Sequence, residues 1–305
     1  MKNVSLDHPV AIEFPIIPTS ERHKLADYVT LAKPRLNLLV VATSVVGFFA
    51  ASNGPTDLLA LLHTAIGSAL VASGAAAWNQ IRERRTDALM DRTRMRPLPG
   101  GRLSVAEARV FSVSASLFGL LELAFGVNLL SAMVALVTLL VYGWVYTPMK
   151  LRTPASTLVG AIPGALPPLI GWAGARGTLS LDAWTLFAIV FCWQIPHFLA
   201  IAWMYREEYR RAGFPMLPVI EPNGRRTGRQ AAVFAAMLVL AALSPHVLGL
   251  TGQTYLVGSL VLSLGLLGLA VRFARVRSDA RARSLFFGSL VYLPVLWKLL
   301  LIDRA

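Results

Sequence analysis

Nine stretches of the 305-residue chain stay apolar for long enough to cross a hydrocarbon layer, which takes about 20 helical residues. They run approximately over 36–52, 58–78, 109–127, 129–146, 156–174, 183–205, 230–250, 255–271 and 284–302. Polar residues concentrate between these runs instead of alternating along them, so the pattern predicts membrane-spanning helices and no half-buried strands. The expected fold class is all-α integral membrane, with nine transmembrane helices. Pro196, inside the sixth run, donates no backbone hydrogen bond and is expected to kink its helix.

Composition sharpens this picture. Hydrophobic residues make up 55% of the chain and charged residues 15%, against about a quarter charged in soluble domains. Because the apolar content is spread over the whole length, residues 36–305 read as one transmembrane domain behind an arm over 1–35. The arm carries acids and prolines and lacks a basic segment followed by an apolar core, so no cleavable signal is expected. The single cysteine, Cys192, lies in an apolar run and reads as a small core residue.

A net charge of +13 would fit a nucleic-acid binder, but its distribution excludes that partner. Of the 29 Lys and Arg residues, all but Arg176, Lys298 and Arg304 fall in the arm or in alternate loops. This is the positive-inside pattern, and it places the N-terminus in the cytosol and the C-terminus outside, as nine spans require. The expected location is a bacterial inner membrane, with the lipid bilayer as partner.

The two long loops on the basic side carry the candidate chemistry. Leaving the second span, Asn79, Glu83, Asp87 and Asp91 recur every four residues, which stacks them along one helix face. Stacked carboxylates repel unless cations intervene, and hard oxygens on one face suit Mg²⁺ bridged to substrate phosphates. Arg82, Arg92 and Arg96 lie among them, with guanidinium forks shaped for phosphate oxygens. The plain alternative is a solvated acid and base helix whose arginines serve topology alone.

The sixth span ends in YREEYRRAGFPMLPV and offers Glu207 and Glu208 on the same side of the membrane. Two facing acidic clusters would grip a diphosphate through Mg²⁺ from both sides; an ordinary charged helix end reads equally well. The loop YTPMKLRTPAS adds Lys150 and Arg152, which either neutralise phosphate or satisfy topology. His197 follows Pro196 at a depth where ionisable groups are costly. It is a candidate iron ligand or substrate contact, or a histidine bonded to a neighbouring helix.

Taken in order, LAKPRLNLLV, Asn79 with Glu83 and Asp87, DALMDRTRMRPLP, YTP with Lys150, GAIPGALPPLIGW, WQIPHF and YREEYRRAGFPMLPV resemble the UbiA superfamily of membrane prenyltransferases, and more narrowly its heme O synthase branch. The resemblance extends from about residue 28 to the last span. It implies nine helices around a central cavity, and transfer of the farnesyl group of farnesyl diphosphate to the 2-vinyl group of protoheme IX (heme b), giving heme O. It also implies Mg²⁺ bound through Asn79, Glu83, Asp87 and an acid of the second motif, for which Glu208 is the closest match beside Glu207. Arg35, Arg82, Arg92, Arg96, Lys150 and Arg152 become the cations expected at the diphosphate, and His197 the heme-binding candidate. A heme A synthase is the partner implied for the product.

Several positions depart from the superfamily pattern. Gln80 stands where quinone-type members carry a second acid, which favours the heme branch. Glu208 replaces the usual Asp, while Leu151 and Ser156 replace an Arg and an Asn in the basic loop. Two rivals follow: a UbiA-type enzyme acting on an aromatic quinone precursor or a chlorin, and a secondary transporter. The transporter fits poorly, because the acids crowd helix ends on one side and leave the midplane bare.

Overall fold

The computed structural model describes residues 21–52 and 54–304. Positions 1–20 of the expected arm, and with them most of the reading that it holds no cleavable signal, lie outside the described residues. The chain forms α1 (Glu21–Ala32), α2 (Pro34–Ala51), α3 (Leu58–Asp87), α4 (Val105–Gly126), α5 (Leu129–Leu140), a π-helical turn (Val141–Tyr146), α6 (Thr147–Met149), α7 (Ser156–Ala165), α8 (Pro167–Arg176) and α9 (Leu181–Met204). It continues as α10 (Arg206–Arg211), α11 (Leu217–Ile220), α12 (Arg225–Val247), α13 (Gln253–Arg275) and α14 (Asp279–Ile302). Among the described residues, seven of these helices and two composite segments, α5 through α6 (Leu129–Met149) and α7 with α8 (Ser156–Arg176), are long and apolar enough to cross a membrane, which agrees with the nine runs of the sequence pattern.

Helix starts follow local chemistry. Asp57 caps α3 by accepting from the amides of Leu59 and Ala60, both at 3.0 Å. Ser104 and Glu107 close a reciprocal capping box at the start of α4, and Asn128 accepts from Ser131 N at 2.9 Å to begin α5.

Three details go beyond the pattern of apolar runs. First, α3 does not stop near Trp78; it continues to Asp87, so Asn79, Glu83 and Asp87 extend the membrane helix itself, while Asp91 falls in the turn beyond its end and is exposed. Second, the fifth span is two helices, α7 and α8, parted at Leu166 because Pro167 and Pro168 bring no amide hydrogen to continue the ladder. By contrast α9 runs from Leu181 to Met204 with Pro196 inside it. Third, the part of the arm over 21–32 is a helix laid against the bundle. Leu31 is fully buried, Gln80 Nε2 donates to its carbonyl at 2.7 Å, and Asp27 pairs with Arg102 at 2.9 Å.

Small residues let the spans approach closely. A Cβ on Gly171 would lie 1.7 Å from Ser44 O, so α8 and α2 touch backbone to backbone. Large apolar side chains such as Phe125, Leu240 and Val247 point outward, as surfaces facing lipid tails should. Between α2, α3, the α5–α6 segment, α7 and α9 the bundle leaves a cavity of about 430 Å³, which residues of the loops that follow α3 and α9 also line.

Candidate active site

The polar end of this cavity is built from α3 upward. Asn79, Glu83 and Asp87, one turn apart, are all buried, at 2%, 6% and 1% exposure, and all line the cavity. Burying two carboxylates is costly unless each finds a partner. Each has one: Lys150 Nζ donates to Glu83 Oε1 at 2.7 Å, and Arg96 Nη1 donates to Asp87 Oδ2 at 2.8 Å. A third cation, Lys33, donates to Asn79 Oδ1 at 3.2 Å.

Lys33 arrives there through an unusual backbone. It adopts φ 52°, the only positive φ outside glycine among the described residues, between the end of α1 and Pro34. This left-handed turn parts α1 from α2 and aims the ammonium at α3. Burial first, and then the nearby Arg96 guanidinium, push the Lys33 ammonium down to about 7. Burial works in the same direction on Lys150, but the Glu83 carboxylate outweighs it and holds that ammonium above the ordinary lysine range.

The loop after α3 folds over this stack. Thr93 Oγ1 donates to Asp87 O at 2.7 Å, which turns the chain so that Arg92 reaches across to the second loop. There Arg92 donates to Tyr209 Oη at 2.7 Å and lies over the rings of Tyr205 and Tyr209. Arg211 pairs with Asp91 at 3.0 Å. The two acidic loops therefore meet at one end of the bundle.

Between the two loops, the π-helical turn sends Tyr142 and Tyr146 into the cavity, with the Lys150 ammonium 5.2 Å from the Tyr146 ring centre. A Cβ on Gly160 would sit 2.4 Å from that ring, so glycine at this position makes the space Tyr146 fills. Thr147 Oγ1 accepts from Asn79 Nδ2 at 3.4 Å and ties the turn to α3.

The residues singled out from sequence separate into two groups. Asn79, Glu83, Asp87, Arg92, Arg96, Lys150 and His197 line the cavity, whereas Arg35, Arg82, Arg152 and Glu207 are exposed and do not. Glu207 pairs with Arg210 on the surface at 2.9 Å. Glu208 is half-buried and does not line the cavity either; its Oε2 lies 4.0 Å from the cavity-lining Arg92 Nε and has no hydrogen-bond partner. Lys33, Tyr142 and Tyr209 were not expected, although LAKPR had marked the neighbourhood of the first.

Among the described residues, no three His, Cys, Asp or Glu side chains gather closely enough to hold a metal on their own. The donor types still suit a small hard cation: the amide oxygen of Asn79 and the carboxylates of Glu83 and Asp87, with the Glu208 carboxylate of the second loop connected to that end of α3 through Arg92. Lys33, Lys150 and Arg96 hold the first three sites, and a diphosphate would give those cations other oxygens to bind.

Away from the acidic and basic end the lining is largely apolar and aromatic, with Gln194 and His197 of α9 and the hydroxyls of Thr43, Ser68 and Thr138 among its polar groups. An acidic and basic mouth above a greasy pocket inside a membrane bundle suits an amphiphile with an anionic head. The sequence profile of the UbiA prenyltransferase family matches residues 40–291. The chain belongs to the UbiA family. A protoheme IX farnesyltransferase from Solibacter usitatus (strain Ellin6076) is 50% identical over 289 residues, covering 92% of this chain and 99% of that relative.

Solved structures of other UbiA-type proteins share the fold. A digeranylgeranylglyceryl phosphate synthase superposes with a TM-score of 0.78 at 17% identity, over 92% of this chain and 98% of that one. A UbiA homolog from Archaeoglobus fulgidus bound to GPP and Mg²⁺ gives 0.63, also at 17% identity, over 90% of this chain and 99% of the other. At such identity the likeness shows a shared fold alone.

Proposed function

We propose that this UbiA-family chain transfers the farnesyl group of farnesyl diphosphate to the 2-vinyl group of protoheme IX, giving heme O and diphosphate. The observation that carries the reading is the buried column Asn79, Glu83, Asp87, each member held by a cation, at the mouth of an apolar cavity. The 50% identity to a protoheme IX farnesyltransferase supports this choice of substrates.

In this mechanism the diphosphate lies at the mouth and the prenyl chain in the cavity, where each buried CH₂ contributes about 0.8 kcal/mol. Mg²⁺ held by Asn79, Glu83, Asp87 and Glu208 would draw charge from the leaving diphosphate. Arg92, Arg96, Lys150 and Lys33 bind its remaining oxygens, and in the low-dielectric mouth such fixed charges act strongly on charge that develops as the bond breaks. The farnesyl C1–O bond breaks and the diphosphate keeps the electron pair. The vinyl carbon of the porphyrin bonds to the allylic carbon, and water adds to the resulting cation and loses a proton. The exposed Arg35, Arg82 and Arg152 then help to gather the anionic substrate at the surface.

The basic loops lie on the cytosolic side in this reading, with the N-terminus inside and the C-terminus outside a bacterial inner membrane. Residues 1–35 are read as a cytosolic arm, of which α1 packs against α3, and 36–305 as the catalytic membrane domain. A heme A synthase is the partner proposed for the product.

The test is incubation of the purified protein with Mg²⁺, farnesyl diphosphate and either protoheme IX or 4-hydroxybenzoate, followed by mass analysis. The porphyrin should gain one farnesyl group and one water. Prenylation of the aromatic acid alone would refute the assignment.

A further inference from the structure

His197 lies on α9 seven residues before its last residue, Met204, and so about 10 Å below the polar end of that helix at 1.5 Å per residue. It is 8% exposed and lines the cavity, as no other histidine among the described residues does. Its ring is fixed on several sides. Trp193 stacks on it at 5.1 Å, Phe286 leans against it at 5.1 Å, and Phe198 meets it edge-on at 5.6 Å.

The hydrogen bonds around this ring determine where its proton sits. His197 Nδ1 is 2.8 Å from Ser289 Oγ, and Ser289 Oγ is 2.6 Å from Phe286 O. Two oxygens that close need a proton between them, and a backbone carbonyl has none to give. The Ser289 hydroxyl therefore donates to Phe286 O and accepts from His197, which puts the imidazole proton on Nδ1. Trp193 Nε1 donates to Ser289 O at 2.8 Å and pins the serine in turn. Nε2 keeps a free lone pair.

An imidazole whose Nδ1–H is held by an outer acceptor, with Nε2 bare, is the form in which histidine binds metal. We infer that Nε2 of His197 is the axial ligand to the iron of the porphyrin acceptor, and that Ser289 is the positioning residue that fixes the tautomer and the ring plane. The inference rests on protoheme IX as the acceptor. Ligation would hold the macrocycle against α9 and set which edge faces the prenyl carbon.

Ferrous protoheme, added to the full-length protein in nanodiscs without farnesyl diphosphate, is the probe. Wild type should show a Soret shift and an iron–histidine stretch in resonance Raman. His197→Ala should lack both and recover the Soret shift with added imidazole, while His197→Met, which keeps the bulk, should give a thioether-ligated spectrum. Ser289→Ala should keep the band at a shifted frequency and bind heme more weakly by about tenfold or more, as loss of an outer partner does. In turnover, His197→Ala should raise the KM for protoheme and leave that for farnesyl diphosphate unchanged. Metal-free protoporphyrin IX should be a poor acceptor that His197→Ala does not worsen.

An iron–histidine band that persists in both His197 variants would overturn the inference, as would equal use of heme and metal-free porphyrin by wild type. A wild type that farnesylates heme without showing the band refutes the ligation alone. A wild type that farnesylates no porphyrin refutes the proposed function.

Discussion

Lys150 Nζ and Glu83 Oε1 meet at 2.7 Å, their side chains 15% and 7% exposed, across 67 positions of sequence. A buried pair of this kind adds little net stability over an apolar one, but breaking it strands a charge. Lys150→Met should therefore destabilise the protein by about 3–5 kcal/mol, seen as a lowered unfolding midpoint in detergent. Lys150→Met combined with Glu83→Gln should recover most of that loss and still fail to turn over. A double variant with restored activity would show that neither charge serves the reaction.

Glu207 and Glu208 are adjacent in sequence and part ways in space. Glu208 holds a buried oxygen 4.0 Å from Arg92 Nε with no hydrogen bond, while Glu207 pairs on the surface with Arg210. Glu208→Gln should lower kcat on the order of 10²-fold, the usual cost of one preorganised electrostatic group. Glu207→Gln should stay near wild type in the same assay. Equal losses would reject the choice between them.

The Tyr146 ring occupies space that Gly160 leaves open. Gly160→Ala would displace the ring, and with it the Lys150 ammonium that lies 5.2 Å from the ring centre. Turnover should fall on the order of 10²-fold, as small misplacements at reacting groups do. Membrane insertion and the unfolding midpoint should change little, and unchanged kinetics would mean that Tyr146 has no part in placing Lys150.

Arg92 joins the two loops through Tyr209 Oη at 2.7 Å and two ring faces. Arg92→Ala should raise the KM for farnesyl diphosphate more than it lowers kcat, because it loosens the mouth and removes a phosphate contact. Steady-state kinetics against farnesyl diphosphate would check this. A pure kcat effect would argue that the loops meet without Arg92.

Much of this architecture was legible in the sequence, because a lipid environment forces long apolar runs and one-sided charge. The Asn79, Glu83, Asp87 column was legible for the same kind of reason: a four-residue spacing on a helix has one geometry. Lys33 was not, since its ammonium reaches Asn79 only through a left-handed turn before Pro34, and 46 positions separate the two. Arg35, in the same motif, looked equivalent on paper and faces outward. The break at Leu166 hid inside GAIPGALPPLIGW because both halves are apolar and together have the length of one span. Ser289, on which the His197 tautomer depends, lies 92 positions away in an ordinary apolar run.

The most direct measurement compares Mg²⁺-dependent heme O formation by wild type and Asp87→Ala, both shown to be inserted in membranes at equal levels. Heme extracts analysed by mass should show the farnesyl and water addition for wild type and none for the variant. Undiminished heme O from Asp87→Ala would contradict the buried α3 column as the site where the diphosphate leaves.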